Sequence, residues 1–425
     1  MNKNVMTLGL LATAGLAVSA QAQFGFSAAI NIPAATNPSA TAAIDFSGDG
    51  VLDLVVTVDG PDRLLLLRNA GGTFTAAGSI LLGAGVGAGD IVAADFSGDG
   101  VADLAIAEHN VGRIQILTKT PAGFVLGVTI PAGVEPRSIR SADMNGDGRI
   151  DLVAANRESN DITVAINGAA GWTTAQYAVG EEPRAIAPID VDGNGAMDLV
   201  VTNHRDRTAS ILRNNGAGVM SAWTTVNTGA AMRPDGVDTG DLNGDGRVDF
   251  AVTQDNNGAG RLSVVMNLGG GLFSAPVHYP TGGSNSGDLI IRDFDLDGDL
   301  DAATANQDSA NVTIMTNNGA GVFASGALLA AGADPDGLSA ADFNGDGQLD
   351  LAVANRTPST VSVFMNTTPG PCPVDFNGDG FLDFFDYSDF VLAFETGAAS
   401  ADFNADGFID FFDYSDFVAG YEAGC

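Results

Sequence analysis

Nine-residue stretches rich in aspartate carry the chemistry most legible in this chain. In the first, Asp45-Phe-Ser-Gly-Asp-Gly-Val-Leu-Asp53, side-chain oxygens stand at positions 1, 3, 5 and 9, and glycine stands at 6. That spacing wraps a short loop around one hard cation, with the carbonyl of position 7 as a further ligand and glycine supplying the sharp turn. The stretch recurs from Asp95, Asp143, Asp190, Asp241, Asp293 and Asp342. Its donors are Asp45, Ser47, Asp49 and Asp53 in the first copy and Asp95, Ser97, Asp99 and Asp103 in the second. Asp143, Asn145, Asp147 and Asp151 follow, then Asp190, Asp192, Asn194 and Asp198, then Asp241, Asn243, Asp245 and Asp249. The last two copies offer Asp293, Asp295, Asp297 and Asp301, and Asp342, Asn344, Asp346 and Asp350.

Oxygen donors without His or Cys select calcium over a transition metal. An Asp/Asn/Gly turn satisfied by its own backbone would explain one such loop. It does not explain seven at one place in a repeat. Together they gather 22 aspartates at ligand positions, clusters that repel themselves without a cation. Up to seven calcium ions are therefore expected here.

A shorter-period relative occurs twice near the C-terminus. Asp375-Phe-Asn-Gly-Asp-Gly-Phe-Leu-Asp-Phe-Phe-Asp386 matches Asp402-Phe-Asn-Ala-Asp-Gly-Phe-Ile-Asp-Phe-Phe-Asp413 at a 27-residue offset. The donors run to position 12: Asp375, Asn377, Asp379, Asp383 and Asp386, then Asp402, Asn404, Asp406, Asp410 and Asp413. Two more calcium ions are expected. Tyr-Ser-Asp-Phe-Val follows each loop and begins a short helix with aromatic residues on one face.

The elements that hold the seven turns follow from their spacing, which runs 50, 48, 47, 51, 52 and 49 residues. A period near 50 built from short apolar runs denotes a propeller or solenoid. Each unit has four such runs, as in Ile91–Ala94, Asp103–Ala107, Arg113–Leu117 and Phe124–Ile130, which make one antiparallel blade. The expected fold is all-β, a seven-bladed propeller of four-stranded blades, with a small α-helical module at the C-terminus. The last unit has three runs. The segment Phe24–Ile32 reads as a strand without a blade of its own, so it should complete the seventh blade and remove two sheet edges.

The Asp-x-[Asp/Asn/Ser]-Gly-Asp-Gly-x-x-Asp turns, and stretches such as Asn317-Asn-Gly-Ala-Gly-Val-Phe323, resemble FG-GAP/VCBS repeats. Those build the calcium-binding propellers of integrin α chains and of many secreted bacterial proteins. The resemblance covers about residues 24–366 and implies fold and metal. It does not fix an activity, because such repeats occur in adhesins, lectin-like modules and some polysaccharide lyases. The C-terminal pair of loops resembles a dockerin, most closely the GC-type module ending in Gly424-Cys425. A cohesin-like anchoring partner is implied. The loops depart from cellulosomal dockerins at positions 10 and 11, where Phe384-Phe385 and Phe411-Phe412 replace polar recognition residues. These aromatics are expected in the module's core, the alternative being a hydrophobic docking surface. Cys372 and Cys425 bracket the module; a disulfide would staple it, and a free terminal thiol is the alternative.

Loops on the face opposite the acidic turns are where a propeller site is expected. Five residues past position 9 stand Val58, Glu108, Asn156, Asn203, Gln254, Asn306 and Asn355, where recurrent Asn implies a structural hydrogen bond. The next position varies: Asp59, His109, Arg157, His204, Asp255, Gln307 and Arg356. Where the first strand begins, recurrent Pro is followed by an equally varied position: Ser39, Gly89, Arg137, Arg184, Asp235, Gly287 and Asp336. If both positions face one side, His109, Arg137, Arg157, Arg184, His204 and Arg205 come together, with Glu135, Glu181 and Glu182 beside them. That group is either a site for an acidic polysaccharide, since Arg suits bidentate recognition of carboxylate, or a set of solvated residues paired with those glutamates.

Residues 1–22 read as a secretory signal: Lys3, an apolar stretch from Val5 to Ala20, and the Ala20-Gln-Ala22 cleavage pattern. The mature chain is expected at the cell surface or secreted, with a propeller over 23–370 and the calcium module over 371–425. A formal charge of −34 argues against nucleic acid, and no later stretch has the ~18 apolar residues of a membrane span. No Gly-x-Ser-x-Gly, zinc-binding His pair or nucleotide loop is present, so no catalytic residue is assigned. The expected function is a monomeric, anchored binding or adhesion module for carbohydrate. The alternative is a polysaccharide lyase delivered by the same anchor.

Overall fold

The structure is a computed structural model that describes residues 25–229, 232–256, 258–368, 374, 376, 382, 384–404 and 407–423. The expected signal segment, Cys372, Cys425 and the loop donors Asp375, Asn377, Asp379, Asp383 and Asp406 lie outside those residues. The chain divides into a unit spanning Phe24–Thr368 and a second containing Pro369–Cys425.

The larger unit is a propeller of seven four-stranded antiparallel sheets. Each blade is a meander, as in Pro136–Ala142, Asp151–Asn156, Asp161–Gly168 and Gly171–Ala178. Blade 5 inserts a small hairpin, Asn267–Gly269 with Leu272–Phe273, before its outer strand Val277–Pro280. The last blade takes its outer strand from the other end of the chain. Ile30–Pro33 pairs antiparallel with Thr360–Phe364, from Ile30 opposite Val363 to Pro33 opposite Thr360.

Burial explains the sequence of each strand. Second strands such as Asp151–Asn156 and Asp350–Asn355 are buried along their whole length, because neighbouring blades cover both faces; hence their near-continuous Leu, Val and Ala. Outer strands such as Gly171–Ala178 are mostly exposed. Apolar packing lies between blades rather than at one centre. Phe96, Ile114 and Ile116 of blade 2 meet Ile139, Leu152 and Ala165 of blade 3, and equivalent layers recur around the ring. The closing layer sets Leu54, Val56 and Leu67 of blade 1 against Phe343, Val361 and Ile32 of blade 7.

A polar staple accompanies these layers. Asn214, at the end of the third strand of blade 4, donates its side-chain amide to the Met144 carbonyl of blade 3 at 2.6 Å. Asn167, Asn267, Asn317 and Asn366 do the same to Phe96, Val191, Leu242 and Phe294 of their preceding blades. Asn69 closes the ring by donating to Phe343, 274 residues away, at 2.6 Å. Blade 2 departs from the pattern. Lys119 holds the equivalent place, and its Nζ reaches the Thr120 carbonyl at 3.4 Å. Lys119→Asn should supply the missing bond to the Phe46 carbonyl and stabilise the propeller by about 1 kcal/mol. The guanidinium unfolding midpoint checks this; an unchanged or lowered midpoint would show that the staple is not what holds the other blades.

In the C-terminal unit, helices α1 (Phe384–Thr396) and α2 (Phe411–Ala423) are related by the 27-residue repeat. Phe390 and Phe417, one repeat apart, stack with centroids 3.9 Å apart and planes 4° from parallel. The Tyr387 and Tyr414 hydroxyls meet at 2.6 Å. Val374, Ala393 and Ala401 complete the buried cluster. The expectation that the position 10 and 11 aromatics build this core is wrong. Phe384, Phe385, Phe411 and Phe412 are 65–72% exposed, because each begins its helix and the inward face starts three residues later, at Tyr387 and Tyr414.

Candidate functional site

The acidic turns end the inner strands and share one geometry. In all seven, the N–H of the position 6 glycine donates to the Oδ2 of the position 1 aspartate, for example Gly50 to Asp45 at 2.9 Å and Gly347 to Asp342 at 2.8 Å. Glycines at positions 4 and 6 adopt positive φ, as at Gly48 and Gly50. In the sixth turn Leu296 takes position 4 at φ 63°, a conformation that strains a branched side chain.

Position 9 does more than the sequence discloses. Asp53, Asp103, Asp151, Asp198, Asp249, Asp301 and Asp350 are fully buried. Each Oδ1 accepts the backbone N–H of the residue ending the third strand, such as Asn69 at 2.8 Å and Asn366 at 2.7 Å. Each Oδ2 accepts an N–H from its own turn, such as Ser47 at 3.0 Å and Val191 at 3.2 Å. These carboxylates lock turn to strand and orient the Asn staple. Burial pushes Asp198, Asp249 and Asp350 up to about 6 and Asp301 to about 8, with the other aspartates of each turn adding to the rise.

One oxygen from each of Asp190, Asp192 and Asp198 lies within 4.8 Å of the others in the fourth turn, as do oxygens of Asp293, Asp295 and Asp297 in the sixth. Elsewhere acidic groups turn to nearby donors: Asp49 to Arg68 at 3.1 Å, Asp245 to Arg247, Asp147 to Asn145 at 3.2 Å and Asp346 to Asn344 at 2.8 Å. All-oxygen donors fit a divalent cation, which at Asp198, Asp249, Asp301 and Asp350 would reverse the rise caused by burial. In the second C-terminal loop, Asp413 accepts the N–H groups of Asn404 at 3.1 Å and Asp410 at 2.7 Å, while Asp402 accepts that of Gly407 at 2.9 Å. Its partner Asp386 is likewise fully buried.

At the other end of the inner strands the channel opens into a cavity of about 210 Å³. Ser39, Gly89, Arg137, Arg184, Asp235, Gly287 and Asp336, the seven equivalent positions singled out above, all line it. A register shift at the start of every inner strand explains more of the lining. In blade 4, for example, Arg184 and Ala185 together oppose Thr202, and the Thr202 hydroxyl fills the gap by accepting the Ala185 N–H at 3.0 Å. A bulge of this kind turns successive residues the same way, so Asp90, Ser138 and Asp288 join the wall. Nothing in the sequence pattern flagged them or Arg140.

The six basic residues anticipated from the sequence do not form one cluster. His109, Arg137 and Arg184 line the mouth; His204 lines a neighbouring cavity beside Arg184; Arg157 and Arg205 line neither. Most guanidinium groups are paired with acids: Arg184 with Asp235 at 3.1 Å, Arg157 with Glu135 at 2.8 Å and Glu158 at 2.9 Å, Arg205 with Glu181 at 3.7 Å, and Arg356 with Asp336. Deeper in the channel, Asp90 accepts from Arg140 at 2.8 Å and from the Ile139 N–H at 2.9 Å. Burial drives Asp288 up to about 7, tempered by Arg140. Arg137 is the exception. Among the described residues it has no hydrogen-bond or ion-pair partner; burial works against its charge, and the fields of Asp336, Asp235, Glu135 and Asp90 more than offset that. The buried Nε groups of Arg184 and Arg356 also lack an acceptor. The mouth thus offers free donors inside a field whose charges nearly cancel.

His204 directs Nδ1 at the Pro234 carbonyl, 3.2 Å away, and burial together with Arg184 holds its imidazole below the usual value. The recurrent Asn is structural, as read: Asn156 bonds Asp161 at 2.7 Å and Thr163 at 2.9 Å, and Asn306 bonds Asn311 and Thr313, both at 2.8 Å.

Among solved structures with this fold are a protein from Lactobacillus plantarum (16% identity, TM-score 0.55, covering 71% of this chain and 88% of that one) and BBS1N in its complex with ARL6DN (15%, 0.59, 81% and 97%). The periplasmic gluconolactonase PpgL of Pseudomonas aeruginosa is a third (13%, 0.55, 74% and 97%). At such identities the likeness is one of fold. No curated protein matches the chain. The FG-GAP-like repeat family matches residues 45–106, 143–201, 190–252, 241–304 and 293–353. These spans cover more than half of the chain, each running from one acidic turn to the second strand of the following blade, and the protein belongs to the FG-GAP-like repeat family.

Proposed function

We propose that this protein is an exported, calcium-stabilised binding module that takes carbohydrate at the mouth of its propeller channel and is anchored through its C-terminal unit. The observation that carries the reading is the mouth itself. Arg137 there has no partner among the described residues, and the buried Nε groups of Arg184 and Arg356 lack acceptors, while Asp235 and Asp336 stand beside them as acceptors. Donors and acceptors interleaved at hydrogen-bonding range suit a ligand rich in hydroxyls. Because nearly every guanidinium is already paired with an acid, the mouth favours a neutral or singly charged sugar over a polyanion. Its volume, about 210 Å³, is below the roughly 300–1,000 Å³ of drug-sized pockets, so it suits one sugar unit. No Phe, Tyr or Trp lines it, and recognition rests on hydrogen bonds.

Calcium would be held by the seven turns through positions 1, 3, 5 and 9. When bound, it neutralises the clustered carboxylates and fixes the turns that set the inner strands. For the anchor, the exposed Phe384, Phe385, Phe411 and Phe412 support docking. With no Lys or Arg after Arg356, the partner should present an apolar surface with a basic rim.

The test is retention of the calcium-loaded protein on a panel of neutral and acidic polysaccharides, with reducing and unsaturated ends followed in parallel. Arg137→Ala should weaken retention by about 10-fold or more, the loss of a charged hydrogen-bond donor, and exposed Arg205→Ala should not. Absence of retention on every polymer would overturn the reading. The alternative, a lyase, is favoured by one observation: His204, its proton affinity lowered, lines a cavity with Arg184 and offers a base next to a cation. New unsaturated ends that vanish in His204→Ala would establish it.

A further inference from the structure

A second cavity, of about 250 Å³, adjoins the mouth and shares Arg184, Asp235 and Gln307 with it. Its other walls are His204, Arg233 and Asn285. The charges in it can be followed one by one. Arg184 and Asp235 neutralise each other at 3.1 Å. Burial and then Arg184 lower the proton affinity of His204. Asn285 donates to Gln307 at 3.0 Å, and Gln307 donates to Asp336 at 3.2 Å, so both amides are held in place. Arg233 remains. It is exposed and lies opposite Asp255 in the strand register; among the described residues, its side chain has neither an ion pair nor a hydrogen bond. Among its described lining residues, the second cavity therefore carries one positive charge without an ion pair, on a chain whose formal charge is −34. The mouth differs: its arginines stand among at least as many aspartates.

We propose that this cavity is a second subsite, selective for one carboxylate, and that the ligand is an acidic sugar unit joined to a neutral one. The neutral unit sits in the mouth against Arg137. The acidic unit crosses the Arg184–Asp235 pair and places its carboxylate on the Arg233 guanidinium, whose planar fork matches it in two hydrogen bonds. A polymer with a carboxylate on every unit would set one of them among Asp235 and Asp336, which disfavours it. The inference rests on the reading of the mouth as a carbohydrate site and adds the order and charge of the units.

The experiment uses the calcium-loaded full chain and a panel of aldobiouronic acids, each paired with its carboxyl-reduced disaccharide, by titration calorimetry. In the unaltered protein one acid should bind about 10-fold or more tighter than its reduced form. Arg233→Ala should abolish that preference by lowering the acid's affinity to about that of the reduced form. Arg233→Lys should keep part of the preference, because charge persists without the fork. Since Arg233 is exposed, the substitutions do not threaten folding. If the preference survives Arg233→Ala, or if reduced and acidic forms bind equally from the start, the second subsite is overturned while the mouth reading stands. If no disaccharide of either kind binds, both fall.

Discussion

Chelating divalent metal is expected to lower the melting temperature of the propeller by about 10–15 °C. The estimate follows from the turns. Extracellular calcium sites bind with Kd of roughly 10⁻⁴–10⁻³ M. At the tighter limit and millimolar calcium, each filled site stabilises the fold by about 1.4 kcal/mol, and seven contribute about 10 kcal/mol. A unit spanning Phe24–Thr368 has an unfolding entropy of about 0.7 kcal/mol/K, so that energy corresponds to about 14 °C. The expectation of metal dependence rests on the charge of the turns. The turn aspartates repel one another, and at the fourth and sixth turns three carboxylates already sit within 4.8 Å. Calcium should restore the melting point, and magnesium should restore little, because it demands a smaller and stricter octahedron. Scanning calorimetry with and without chelator decides the matter. Superimposable scans would mean that the backbone N–H groups around each position 1 aspartate suffice, and the turns would then be structural only.

How far the sequence discloses this molecule depends on which interactions repeat locally. The seven turns lie at near-constant spacing and contain their own donors, so the blade count and the places of Asp45 and its equivalents are readable by counting. The outer strand at Ile30–Pro33 is readable because the seventh unit is one apolar run short. The role of position 9 is not readable: Asp53 looks like one more ligand until Asn69 is seen, sixteen residues on, donating to it. The charge of the mouth is hidden for a related reason. Arg184 and Asp235 are 51 residues apart and meet only because inner strands of adjacent blades run side by side; along the chain Arg184 has glutamates for neighbours, and the guanidiniums look like a free cluster. The doubled lining from the bulges is hidden because a bulge changes which side chains share a face without changing the alternation of types. In the C-terminal unit, aromatic residues at seven places per repeat do not declare which are buried. Phe384 and Phe390 differ in position on the helix, and the helix phase decides.

The same buried carboxylates give the second large effect, which separates structural from metal-binding roles. Asp53→Ala should destabilise the propeller by about 3–5 kcal/mol even in chelator, because it leaves the buried Asn69 N–H without an acceptor and removes the charged acceptor of the part-buried Ser47 N–H. Asn69 also donates to Leu52 at 2.8 Å and to Phe343 at 2.6 Å, and the second bond crosses the seam where the ring closes. Losing its anchor weakens that seam. Asp103→Ala removes the same two kinds of acceptor in blade 2, from Ser97 and Lys119, but Lys119 spans no blade boundary, so the cost should be smaller by about 1–2 kcal/mol. Asp45 serves N–H groups that face solvent, and its replacement by Ala should cost about 1 kcal/mol or less in chelator and more with calcium. Denaturant unfolding of the three variants, each with and without calcium, reads all three differences. If Asp53→Ala and Asp45→Ala were equally damaging in calcium and equally harmless in chelator, position 9 would act through the metal alone. If Asp53→Ala stays the more damaging in chelator and exceeds Asp103→Ala, the carboxylate holds the ring closed through Asn69, and calcium acts on a turn that the backbone has already shaped.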